Sequence, residues 1–101
     1  MFYSIYCLDG ENTASLRDQN RIKHREYLDQ WKDKIFFSGP LLDDDDENIQ
    51  LGSLFILKVR DMAEAESYIF NEIYYKAGVF EKVSIMKMRK GRYNPELAVD
   101  I

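Results

Sequence analysis

Phe2 to Leu8 (FYSIYCL) is a short aromatic and β-branched run closed by Asp9-Gly10, the pattern of a strand entering a turn. After a polar stretch from Glu11 to Thr13, Ser15-Leu16-Arg17-Asp18 has capping-box spacing, and neither Gly nor Pro follows until Gly39. This predicts a helix over 15–34. Ile35 to Ser38 then reads as a short strand stopped by Gly39-Pro40, since proline cannot donate to a sheet ladder. Five consecutive acids, Asp43 to Glu47, repel one another and disfavour burial, so they predict a solvated hairpin loop leading into a strand over 51–59. Asp61-Met62-Ala63-Glu64 repeats the capping-box spacing, and Met62, Ala65, Ile69 and Ile73 recur at helical period, predicting a helix to about Asn71. Beyond Gly78, Phe80 to Met88 predicts a last strand, and Arg89 to Ile101 carries little periodicity.

The order βαββαβ predicts an α+β, ferredoxin-like domain over 1–90: a four-stranded antiparallel sheet with both helices on one face, followed by a C-terminal tail over 91–101. Strands one and three are apolar at both alternation phases: Phe2 and Tyr6 against Tyr3 and Ile5, Leu54 and Ile56 against Phe55 and Leu57. The face away from the helices therefore needs a cover, which a homodimer joined through that face would supply. Thirteen Phe and Tyr plus one Trp in 101 residues are more aromatic area than one small domain easily hides, which points the same way.

Charge and cysteine usage narrow the partners. Lys plus Arg is 14 against 18 for Asp plus Glu, a net charge of −4, and the bases are interleaved with acids rather than gathered into a stripe. That argues against nucleic-acid binding. Cys7 is the single cysteine, so neither a disulfide nor a cysteine zinc site can form within one chain, and a reducing, cytoplasmic setting is expected. No apolar run approaches the ~20 residues of a membrane span, and MFYSIYCLDG lacks the marks of a secretion signal. P-loop, dinucleotide and nucleophile-elbow motifs are also missing, so the expected chemistry uses no cofactor and no metal. The acidic run lacks the spaced ligands and glycine of a calcium loop, and the scattered methionines read as core filling.

On a helical wheel Arg17, Arg21, His24, Leu28 and Trp31 share one narrow stripe. Leu28 and Trp31 must face the sheet, which carries the charged half of the stripe toward the mouth of the helix–sheet interface. A pocket for a small anion explains all three polar groups, with His24, the only histidine, as the natural proton carrier. The same pattern also fits a structural histidine, with Arg17 and Arg21 laying their stems over the core and pairing with Asp18 or Glu64. Tyr74 and Tyr75 fit either the cavity wall or a packing contact.

Four fragments together resemble the YciI-like, or YCII-related, family. They are Tyr6-x-x-Asp9, the helix Arg17-x-x-x-Arg21-x-x-His24-x-x-Tyr27-Leu28, the turn Gly39-Pro40-Leu41, and Ala77-Gly-Val-Phe-Glu-x-Val-Ser-Ile85. The resemblance spans residues 2 to 88 and implies a dimeric α+β barrel. It also implies a His and Asp pair in a pocket, and a lyase activity that in one relative eliminates chloride from a small unsaturated acid. His24 matches the family histidine, whereas the family's Asp-Pro-Tyr or Asp-Pro-Phe falls on Glu72-Ile73-Tyr74, a longer acid without the proline. The expected site is then His24 and Glu72 as the catalytic pair, with Arg17, Arg21, Tyr6, Ser38, Gly39 and Tyr74 around a small anionic substrate. The competing expectations are a binding module that holds a small acid without turning it over, and a structural dimer with no pocket.

Overall fold

The computed structural model describes residues 1–99. Its elements follow the order β1 (Phe2–Asp9), α1 (Ala14–Gln30), β2 (Ile35–Leu42), β3 (Gln50–Lys58), α2 (Met62–Phe70), α3 (Ile73–Lys76) and β4 (Phe80–Met88), with a 3-10 turn at Pro95–Ala98. The sheet is antiparallel, in spatial order β2-β3-β1-β4, which is the ferredoxin-like arrangement. Tyr3, Ile5 and Cys7 of β1 and Phe55 and Leu57 of β3 point to one face, where they pack with Ala65, Tyr68 and Ile69 of α2 and Tyr74 of α3. Tyr68 is the centre of this core, its ring 5.2 Å from both Trp31 and Phe55 and 5.7 Å from Tyr27.

Three boundaries differ from the sequence expectation. The capping box at Ser15 does not form: Thr13 precedes α1, its hydroxyl donates to the Gly10 carbonyl at 2.9 Å, and Asp18 turns outward to Arg21. α1 also ends at Gln30, and residues 31–34 continue as tight turns closed by Lys34 N–H on the Trp31 carbonyl. β2 runs on through Gly39-Pro40 to Leu42, with Pro40 opposite Ser53. β2 is an edge strand, and an edge proline withholds no ladder hydrogen bond. The second box forms its N-cap bond, with the return bond one residue earlier than the N-cap. Asp61 accepts from Glu64 N–H, and the Glu64 carboxylate accepts from Arg60 N–H, both at 2.9 Å.

Two features of the sheet shape its faces. Gly52 is forced by the approach of β1: a Cβ there would sit 2.0 Å from the Cys7 carbonyl oxygen. In β2 the register slips between Ile35 and Phe37, and this bulge leaves Phe36 and Phe37 both exposed. They join Tyr6, Met86 and Met88 on the face away from the helices, where Phe2 and Tyr93 meet the Phe36 ring edge-on at 5.5 and 5.7 Å. Of the expected tail, residues 100–101 lie outside the described residues. No helix among the described residues is long and apolar enough to cross a membrane.

Candidate functional site

α1 carries one buried residue, and it is an arginine. Arg17 is 5% exposed, with Nε 2.6 Å from Asp9 Oδ2 and Nη2 2.9 Å from Asp9 Oδ1. Nη2 also reaches the Gly52 carbonyl and Ser53 Oγ, each at 3.0 Å. A buried guanidinium is tolerated when a carboxylate and further acceptors meet it in this bidentate way. Asp9 closes β1 where the β1–β4 register shifts, and Gly52 and Ser53 lie across from Leu8 and Cys7, so three strands' worth of geometry fixes one side chain. The guanidinium also stacks over Tyr74, 4.9 Å from the ring centroid. Of the expected pairings, Asp18 holds Arg21 at 2.5 Å, whereas neither Asp18 nor Glu64 meets Arg17, and Glu64 holds Lys34 at 2.6 Å.

Two turns further along α1, His24 Nδ1 lies 2.5 Å from Glu72 Oε1. Glu72 is 0% exposed and is the N-cap of α3, its Oε2 accepting from Tyr74 N–H at 3.0 Å and Tyr75 N–H at 3.3 Å. One carboxylate thus starts a helix and orients an imidazole. With the Glu72 carboxylate as acceptor, Nδ1 is the donor, and a neutral ring then keeps its Nε2 lone pair for another molecule. The ring is held from the side as well, stacked on Tyr74 with centroids 3.9 Å apart and planes 9° from parallel. Ile73 is the first helical residue of α3, the position at which proline is favoured, so the loss of the family's proline leaves the turn intact.

These groups border a cavity of about 270 Å³ between α1 and the sheet, lined by Arg17, Arg21, His24, Ser38, Gly39 and Tyr74 of the expected set. Arg25, Gln50 and Ser53 line it too and were not anticipated, although Arg25 follows Arg21 by one helical turn. The wall carries three arginines, of which Arg17 is neutralised by a buried acid, while Arg21 has only an exposed, solvent-screened partner and keeps most of its field. Tyr6 is a correction. Strand alternation puts it on the opposite face from Tyr3, Ile5 and Cys7, 42% exposed, and it does not line the cavity. Tyr75 is likewise outside, packed against Phe70 at 5.2 Å. Burial pushes the Tyr74 phenol above its ordinary value, opposed by Arg17 and Arg21. Burial, helped by Glu72 and Asp9, pushes the Cys7 thiol up to about 12, so it is no nucleophile.

Among the described residues no cluster of three or more His, Cys, Asp or Glu side chains is placed to hold a metal ion. In the acidic loop, Asp43 accepts from the Asp45 and Asp46 N–H groups and Asp46 from Asn48 N–H, which makes it a self-bonded turn.

Fold and site together define a ferredoxin-like α+β protein with a cationic cavity that holds a carboxylate-oriented histidine. The chain belongs to the YCII-related family, whose model matches residues 1–89. Among solved structures it is similar to the 5-chloro-2-hydroxyhydroquinone dehydrochlorinase TftG of Burkholderia phenoliruptrix AC1100, in complex with 2,5-dihydroxybenzoquinone. That alignment has 29% identity and a TM-score of 0.82 over 90% of this chain and 96% of the other. Two structures of an Arabidopsis thaliana protein align over 92% of this chain and 97% and 89% of their own, at 10% and 13% identity. Their TM-scores, 0.48 and 0.49, carry no functional weight. No curated protein matches the chain significantly.

Proposed function

We propose that this protein is a lyase or isomerase for a small oxygenated anion, in which His24 Nε2 moves a proton next to a carbonyl and Glu72 holds the tautomer. The observation that carries this reading is His24, which lines a cavity whose rim is arginine-rich and lies 2.5 Å from the fully buried Glu72 behind it. A base fixed by a buried acid, beside cations that bind and pre-orient an anion, is sufficient for proton abstraction α to a carbonyl without further groups. The likeness to a dehydrochlorinase in complex with a dihydroxyquinone supports a related substrate, because a hydroxyquinone is a vinylogous acid of a size the cavity admits.

The active form we propose is a homodimer joined through the open sheet face, supported by the exposed Tyr6, Phe37 and Met86 there. The lone, buried Cys7 fits a reducing, cytoplasmic setting. The test is chloride release from 5-chloro-2-hydroxyhydroquinone, with 2,5-dihydroxybenzoquinone as the binding probe. Turnover that falls by ~10² to 10⁴ in His24→Ala supports the assignment. Thermal stabilisation by the quinone without turnover would instead make this a binding module, and neither response would reject the reading.

A further inference from the structure

Resting on that reading, we infer that Arg17 and Ser53 form an oxyanion subsite, distinct from the arginines that bind the substrate's standing charge. Nε and Nη2 of Arg17 are spent on Asp9, Gly52 and Ser53, and Nη1 has no partner among the described residues. The side chain is more than nine-tenths buried, and the space it borders is the cavity. Ser53 is also buried, and its Oγ accepts from Arg17 Nη2, which leaves its own O–H as a donor toward the same space. Two fixed donors therefore face the hollow that His24 borders from α1.

Their electrostatics suit a charge that develops rather than one that is already there. Asp9 cancels the net charge of Arg17, so a ground-state anion gains little from it, while the oriented Nη1–H and Oγ–H dipoles still meet an oxygen that becomes negative. Arg21 and Arg25, on the more exposed side of α1, are the groups for the standing charge. In the reaction, the triol's chlorine-bearing carbon takes up a proton from solvent as the neighbouring hydroxyl gives one up, which makes a ketone beside an sp3 C–Cl carbon. His24 Nε2 then takes the proton of the hydroxyl para to that ketone, and the oxygen becomes negative at Arg17 and Ser53. Its electron pair forms the second carbonyl, the ring double bond shifts, chloride leaves with the C–Cl pair, and the imidazolium returns its proton to solvent. The net change is loss of HX.

The subsite predicts a split in kinetics. For chloride release from 5-chloro-2-hydroxyhydroquinone, Ser53→Ala lowers kcat by about 10²-fold with little change in KM, the signature of a donor used only in the transition state. Arg17→Lys, which keeps a cation on Asp9 but removes the fork, lowers kcat similarly. Arg25→Gln raises KM and leaves kcat nearly unchanged. Quinone binding and thermal unfolding show that each variant is folded and loaded. A Ser53→Ala enzyme with wild-type kcat, or one whose loss lies in KM alone, overturns the subsite while leaving His24 as the base. A wild-type protein that neither binds the quinone nor releases chloride overturns the parent reading and the subsite together.

Discussion

On the helix-covered face of the sheet, β1 contributes Tyr3, Ile5, Cys7 and Asp9, all buried or nearly so, whereas on the open face the same strand presents Phe2, Ser4, Tyr6 and Leu8. The covered face holds two polar pairs largely out of water, Arg17 against Asp9 and His24 against Glu72, each with further hydrogen bonds. The open face does the reverse, keeping aromatic and methionine side chains in contact with solvent. Burial of charge is costly unless it is paired and hydrogen-bonded, so these groups are ordered by the fold itself. Exposed apolar area is costly until something covers it, so the open face is where association gains most.

Four measurements break or sharpen this contrast. Asp9→Ala leaves a guanidinium uncompensated beneath α1 and is expected to cost about 3–5 kcal/mol in urea unfolding. A loss under 1 kcal/mol would show that the pair is not buried in solution. Met86→Asp puts a charge on the β4 side of the open face and should weaken self-association at least tenfold, the equivalent of about 1.4 kcal/mol, with urea stability of the isolated chain little changed. Sedimentation at several concentrations reads this directly, and a wild-type chain that is monomeric throughout would remove the open face from the argument.

A third contrast lies at the far end of the covered face. The side-chain hydrogen bond from Lys34, then that from Arg60 N–H, hold the Glu64 carboxyl down at about 2 from an ordinary 4.5. The folded state therefore binds that proton more weakly than the unfolded state does. Its contribution is complete above about pH 4.5 and is lost as pH falls toward about 2. Glu64→Gln should cost about 1 kcal/mol at neutral pH, since it also weakens the α2 cap, and flatten the acid limb of the stability curve. An unchanged acid limb would count against the pairing. The smallest effect belongs to Tyr68, whose buried hydroxyl has no partner among the described residues. Tyr68→Phe is expected to be neutral or stabilising by up to about 1 kcal/mol, and a clear destabilisation would reveal a buried acceptor or water.

How much of this was legible varies by element. β4 falls on Phe80–Met88 as its pattern predicts, and α2 starts on its Asp61 N-cap, because alternation and capping are local properties of the chain. β2 read as too short because Gly39-Pro40 is a stop signal in a central strand and harmless at an edge, and position in a sheet is not a local property. At the site, the spacing of Arg17, Arg21 and His24 on one face of α1 was visible, and the cavity they border follows from it. That Arg17 is committed to Asp9, Gly52 and Ser53, eight and more than thirty residues away, was not.

By itself the sequence determined the element order, the two apolar phases of β1 and β3, and the stripe of cationic and titratable groups on α1. Periods of two and of 3.6 residues are written in the order of side chains. Which phase of β1 the helices cover, and so that Tyr6 faces away from the cavity, was decided only when the strands paired. The same holds for Glu72, whose carboxylate reaches His24 across 48 positions while its other oxygen starts α3. Those choices depend on which buried donors can find acceptors, and that is settled by packing the whole chain at once.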